Sequence, residues 1–178
     1  AGRPLRLIDT PGHCKHHHAI WDARSQGWFC GDTFGLSFRE FDRAGQAWIL
    51  PTSTPVQWDP VALKTTVARL LEAAPTAMYL THYGRVGRDA ADVQRLGANM
   101  LTLADGMTRI ALALRESPER HRLLKSELLA LYLADLVQHQ GPFDADRAAE
   151  WLAMDVELNA QGLEVWLGQM KPLVQGVP

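Results

Sequence analysis

Apolar and polar residues follow different periods in the two parts of the chain. Up to about residue 88, short apolar runs that lead into turns or loops predict four strands, at 4–9, 27–32, 47–50 and 76–81. One helix is predicted among them, in WDPVALKTTVARLLEAAP, because Asp59 can cap its first turn and Pro60 fits the first helical position. Its apolar residues recur at helical spacing, as Leu63, Val67, Leu70 and Leu71.

From residue 89 onward the pattern is helical. Apolar residues three or four positions apart predict a first long helix, with Val93, Leu96, Met100, Leu103, Met107 and Ile110 on one face. A second helix is predicted after Ser117-Pro118, and Gly141-Pro142 ends it. Asp144 begins a third helix that contains Trp151, and a fourth contains Trp166 and ends before Pro172. We therefore expect a helical subdomain packed on an α/β part, with a helical pairing surface as the alternative.

Composition narrows the classes of function. The chain has 178 residues, 47% of them hydrophobic and 21% charged, which suits one ordinary domain or a small domain with an appendage. A net charge of −2 argues against a nucleic-acid partner. No apolar run approaches the roughly 18 residues of a membrane helix, and no signal-peptide pattern opens the chain. With only two cysteines, reduced thiols and a cytoplasmic location are expected.

Three loops that follow predicted strands carry residues typical of metal sites. The stretch DTPGHCKHHH, residues 9–18, holds four of the seven histidines, and its His13 follows a Pro-Gly turn. Asp32 lies in the turn of CGDTFG, and His82 ends the strand in LTHYG. Imidazole and carboxylate groups bind zinc and iron, and such sites gather ligands from loops that converge. The pattern predicts that His13, Asp32 and His82 come together.

The neighbouring histidines allow more than one interpretation. A purification tag is excluded for His16, His17 and His18 because they lie inside the motif rather than at a terminus. His16 or His17 could orient the ligands or the substrate, or could belong to a partly exposed polar strand edge; both interpretations stay open. His18 is expected to face solvent.

For the other reactive side chains near these loops or in the helices, structural or surface positions are expected rather than roles in the site. Cys14 could be a soft ligand, but a small buried side chain is favoured because adjacent residues seldom point the same way. Cys30 is expected in the core. Tyr83 could reach a substrate or simply pack. His121 and His139 are expected to be surface residues of helices, and GRVGRD (84–89) a turn.

The order DTPGHxxHH, GDxxG and THYG resembles the second half of the metallo-β-lactamase fold, that of the αββα metallo-hydrolase superfamily. The resemblance covers about residues 5–88. It implies that His13 binds a first metal, that Asp32 bridges two metals, and that His82 binds the second. The expected fold class is α/β: the second half of an αββα sandwich, a mixed sheet with helices, in residues 1–88. An all-helical extension, similar to the extra C-terminal helices of one hydrolase subgroup, is expected in residues 89–178.

The chain departs from this family in one large respect. The H-x-H-x-D-H motif, which in the family supplies most ligands and the residue that handles the attacking water, does not occur in the 178 residues. Together with the first residue, Ala1, this favours a portion of a longer hydrolase. The expected parent would use two zinc ions, with iron or manganese also compatible, to hydrolyse an ester, thioester or lactone in a small-molecule substrate. This chain alone would hold an incomplete site and no catalytic residue.

A second hypothesis is non-catalytic. A half-sandwich without its other half would expose one apolar face of its sheet, and exposed apolar patches of that size drive association. The chain is therefore expected to form a homo-oligomer through this face and its helices.

Overall fold

A computed structural model describes residues 2–53 and 57–170 and contains one mixed sheet with four α-helices. The strands are β1 (Leu5–Asp9), β2 (His18–Asp22), β3 (Gly27–Gly31), β4 (Ala77–Leu80) and β5 (Arg85–Val86). The helices are a 3-10 turn (Arg39–Phe41), α1 (Pro60–Leu71), α2 (Ala90–Ala113), α3 (Arg120–His139) and α4 (Ala145–Gln169). This arrangement confirms the predicted α/β class.

The sheet topology brings three strand ends to one edge. Its order is β1-β2-β3-β4-β5, with β3 and β4 parallel and every other neighbouring pair antiparallel. Two successive antiparallel pairings make β1 parallel to β3, and therefore to β4. The segments that leave the carboxyl ends of β1, β3 and β4 consequently start from the same edge, and these are the three loops of the predicted site.

The helices begin where local chemistry predicts. Asp59 accepts hydrogen bonds from the backbone N–H groups of Val61 and Ala62 at 3.0 Å, and Pro60 occupies the first turn of α1. The side chains of Asp89 and Asp144 cap α2 and α4 in the same way. Each cap satisfies N–H groups that have no partner within the helix.

Several sequence predictions of elements are wrong in detail. Residues 47–50 form no strand; Leu50 pairs only with Leu36 in an isolated bridge, and the segment is buried as irregular chain. Strand β2 was not predicted, and β5 lies within the segment expected to be a turn. The third and fourth predicted helices are one continuous helix, α4. The predicted stop at Pro172 lies outside the described residues.

The two faces of the sheet differ in their surroundings. One face is buried against helices, and its Trp28 donates a hydrogen bond from Nε1 to the carbonyl of Leu70 in α1 at 2.9 Å. The opposite face exposes Leu5, Leu7 and Phe29 at 51%, 63% and 46%. The register places Leu7, on β1, in one cross-strand row with Phe29 on this second face.

The helices continue the same hydrophobic core. Buried residues of α2, α3 and α4 belong to one cluster with those of the sheet and of the 34–50 segment. This cluster crosses the predicted boundary at residue 88, which itself remains a prediction. Within the described ranges, no helix is long and apolar enough to cross a membrane.

Candidate metal centre

The three predicted ligands lie around one pocket. Nε2 of His82 is 3.4 Å from Oδ1 of Asp32, and Nε2 of His13 is 3.9 Å from Oδ2 of the same carboxylate. All three side chains line a pocket of about 170 Å³. The structure thus brings together the residues that the loop pattern selected; their role as metal ligands remains a prediction.

Hydrogen bonds fix the tautomer of His13. The hydroxyl of Thr52 donates to the carbonyl of Asp32 at 3.2 Å, so its oxygen accepts from His13 Nδ1, 3.0 Å away. The carbonyl of Thr52 lies 3.2 Å from the same nitrogen and accepts only. Nδ1 of His13 therefore carries a proton, and Nε2 is the ring nitrogen that faces Asp32. A carbonyl behind the ring is the usual support of a metal-binding histidine.

Asp32 offers its two oxygens to different imidazoles. Oδ1 is buried and has no hydrogen-bond partner among the described residues, although Nε2 of His82 is nearby. Oδ2 faces His13. A buried carboxylate oxygen without a donor is costly unless a cation or a donor satisfies it. This arrangement suits two cations on either side of one carboxylate.

His17 has a different role from His13, because both of its ring nitrogens are used by the protein. Nε2 accepts the backbone N–H of Asp32 at 3.2 Å, so the proton is on Nδ1. Nδ1 then donates toward the hydroxyls of Thr33 at 2.8 Å and Thr10 at 2.9 Å. Burial lowers the pKa of His17, and the charge of His13 adds to this shift. His17 therefore holds the backbone of Asp32, and both of its ring nitrogens have partners within the protein.

Gly31 makes room for this contact. Its φ is +53°, and a Cβ placed on it would lie 2.4 Å from Nε2 of His17. The glycine of the Gly-Asp turn is thus required both by its backbone conformation and by the adjacent ring.

The remaining predicted residues are not part of the lining of this pocket. His16 and His18 are exposed, as expected for His18. Tyr83, 54% exposed and at φ +69°, packs on Phe38 with ring centroids 5.0 Å apart. Cys14 is half-exposed, so the expected buried side chain is wrong there.

Cys30 differs in burial from the two histidines of α3, and all three lie outside the candidate pocket. Cys30 is fully buried, as predicted, and burial raises the pKa of its thiol. Both cysteines are free. His139 is half-buried, against expectation, and burial lowers its pKa. His121 is also half-buried, and its Nδ1 lies 2.8 Å from Oε2 of Glu164. Neither histidine lines the candidate pocket.

Sequence reasoning missed the part of the wall that comes from α4 and the 51–53 segment. Thr52 and Ser53 line the pocket, together with Asp155 and Asn159. The only sequence signal was that Asp155 and Asn159 lie four positions apart on an otherwise apolar face of a predicted helix. This spacing does not indicate which part of the chain the two residues contact.

The donor chemistry fits a cation, although the side chains are not gathered into a closed cage. Across residues 2–53 and 57–170, no three His, Cys, Asp or Glu side chains lie close enough together to hold one metal ion. The contacts form two pairs instead, one between His13 and Asp32 and one between His82 and Asp32. Catalytic metal sites normally use three protein ligands, so neither pair alone makes up such a site.

Comparison with known proteins gives a likeness of fold. No family model and no curated protein matches the sequence. An archaeal metallo-β-lactamase superfamily protein from Sulfolobus tokodaii is similar in structure, with 22% identity and a TM-score of 0.49 over 92% of this chain and 46% of that one. A metallo-β-lactamase family protein from Thermus thermophilus is similar with 19% identity and a TM-score of 0.52, over 86% of this chain and 45% of that one. The chain spans about half the length of these solved structures. The described residues therefore have the fold of about half of a metallo-β-lactamase superfamily protein.

Proposed function

We propose that this chain is part of a metal-dependent hydrolase and that His13, Asp32 and His82 are its share of the cation ligands. The proposal rests mainly on the position of the Asp32 carboxylate between two imidazoles. Its Oδ2 faces Nε2 of His13, and its Oδ1 faces Nε2 of His82. The likeness of fold to metallo-β-lactamase superfamily proteins supports the same conclusion.

The chain's own residues would prepare the site before any cation arrives. Thr52 holds a proton of His13 on Nδ1, so that Nε2 is the ring nitrogen on the side of Asp32. His17 holds the Asp32 backbone by accepting its N–H. When bound, two divalent cations would supply a nucleophilic water at neutral pH and polarise the bond to be broken. Zinc suits the mixed donors, as would iron or manganese.

The proposed substrate is a small molecule with an ester, thioester or lactone bond. The 178 residues contain no H-x-H-x-D-H motif, and the described side chains form only partial sites. We therefore expect this chain alone not to hydrolyse such substrates, and we expect activity only when a segment with that motif is supplied. The two free cysteines, one of them buried, agree with a reducing, cytoplasmic location.

A second candidate role is association through the sheet. Leu5, Leu7 and Phe29 are exposed on one face, where the ring of Phe29 stacks on that of Tyr79 at 4.5 Å. A contiguous apolar surface of this kind favours burial against another molecule. We propose that this chain forms a homo-oligomer through it.

Zinc titration by calorimetry tests the first proposal. We expect this chain to bind zinc, and we expect His13→Ala and Asp32→Ala to abolish the binding. His18→Ala is the matched control, because His18 is exposed and outside the pocket. Equal binding by all four proteins would contradict the proposal.

A further inference from the structure

Helix α4 contributes a second carboxylate to the candidate pocket. Asp155 lines the pocket together with His13, Asp32 and His82. It comes from the helical region, far in sequence from the three predicted ligands. No direct ion pair joins Asp155 to His82 in the described part of the chain, so the two side chains face the pocket without closing it.

A buried asparagine holds this part of α4 in place. Asn159, 2% exposed, accepts the backbone N–H of Ser53 at 2.7 Å and donates to the carbonyl of Pro51 at 3.1 Å. Residues four positions apart lie on the same face of a helix. The bonds of Asn159 therefore keep Asp155, one turn earlier, at the pocket that Thr52 and Ser53 also line.

The Asp155 carboxylate is half-buried and is close enough to His82 to interact with its charge. Burial raises the pKa of Asp155, while the charge of His82 and a hydrogen bond with the residue's own backbone oppose that shift. A half-buried carboxylate is stabilised when a positive charge accompanies it. Asp32 and Asp155 bring two carboxylates to one pocket, a combination that attracts a divalent cation.

From this placement we propose that Asp155 is a further cation-binding determinant, a second carboxylate that stabilises the ion on the His82 side of Asp32. The inference rests on the proposed function, since it needs a cation in the same pocket. It makes α4 a part of the binding site rather than only a packing element. It also supplies a negative charge that neither the loop motifs nor the resemblance assigned.

Calorimetric titration with zinc chloride tests the inference on the full chain. Asp155→Asn is expected to weaken zinc binding about tenfold or more, as the loss of a supporting carboxylate does in other metal sites. Asp155→Glu keeps the charge and should keep most of the affinity. The control Asp146→Asn, an exposed residue in the first turn of the same helix, should bind zinc as the unaltered chain does.

Two outcomes separate failure of this inference from failure of the proposed function. If Asp155→Asn binds zinc with unaltered affinity while His13→Ala and Asp32→Ala do not, Asp155 has no role in the site and only the inference is lost. If the unaltered chain binds no zinc, both are lost. Circular dichroism checks that each variant is folded; should Asp155→Asn not fold, Asp155→Ala makes the same comparison with a strong helix former.

Discussion

Replacement of Asn159 by alanine should be among the most destabilising single changes in the helical region. The amide oxygen accepts from Ser53 N–H at 2.7 Å and from the Ser53 hydroxyl at 3.1 Å. The amide nitrogen donates to Pro51 O at 3.1 Å and to the hydroxyl of Tyr132 at 3.0 Å. Both Asn159 and Ser53 are almost fully buried, so water cannot take over these bonds without a rearrangement.

The magnitude follows from the groups left behind. Asn159→Ala leaves the Ser53 N–H and the Pro51 carbonyl without their partner inside the protein. Each buried, unsatisfied group costs roughly 1–3 kcal/mol. We therefore expect the free energy of unfolding to fall by about 2–5 kcal/mol, a large fraction of the roughly 5–15 kcal/mol typical of a folded domain. The midpoint of thermal unfolding should fall by about 5–15 °C.

Urea and thermal unfolding, followed by circular dichroism, measure this change. Asn99→Ala is the matched control, because Asn99 is half-exposed on α2 and the chemical change is the same. Alanine is the better helix former, so the control should be neutral or slightly stabilising. A loss below about 1 kcal/mol for Asn159→Ala would refute the view that this buried network fixes α4, because one unsatisfied group alone would cost more.

Three further changes have defined outcomes. Gly31→Ala should lower the free energy of unfolding by about 1–3 kcal/mol. The positive φ of Gly31 disfavours a side chain, and a new Cβ would lie 2.4 Å from the imidazole of His17. Gly168→Ala is the control and should not lower that free energy, because the space around Gly168 is open. The guanidinium of Arg3, paired with Asp22, lowers the pKa of the Asp22 carboxyl. The stabilisation that the ionised Asp22 provides is therefore present above about pH 4 and is lost as the pH falls below that value. Unfolding from pH 7 to pH 2 should therefore show Asp22→Asn destabilised most at neutral pH; a constant difference would contradict the pairing. Leu7→Lys, on the exposed sheet face, should lower the mass measured by light scattering. The control Val61→Lys, at an exposed position of α1, should leave that mass unchanged. A strictly monomeric unaltered chain would contradict the proposal of self-association.

Much of the architecture could be predicted because local signals and packing agree. The caps at Asp59, Asp89 and Asp144 and the long apolar stripes marked three helix starts. Strand β2 was missed because the sequence HAIWD has no regular apolar alternation, since its last residue, Asp22, is buried by an ion pair rather than by apolar packing. The 47–50 segment is apolar for a different reason: it is buried, but almost none of its backbone pairs in a sheet.

Some residues of the candidate pocket could also be predicted from the sequence, and others could not. His13, Asp32 and His82 could be predicted because each follows a strand, and the parallel relation of β1, β3 and β4 carries those strand ends to one edge. The contributions of Thr52 and Asp155 could not be predicted, since they depend on how irregular chain and a distant helix pack around the pocket. Side-chain chemistry indicates what a residue can do, and tertiary packing decides whether it is near enough to do it.

The histidine-rich stretch shows how hydrogen bonding separates residues of one chemical type. His13 and His17 are both half-buried, and each holds its proton on Nδ1. In His17 the remaining nitrogen accepts the Asp32 N–H, so no lone pair is left for a cation. In His13 the remaining nitrogen, Nε2, lies 3.9 Å from Oδ2 of Asp32. This difference in hydrogen bonding favours His13 over His17 as the predicted ligand of the stretch.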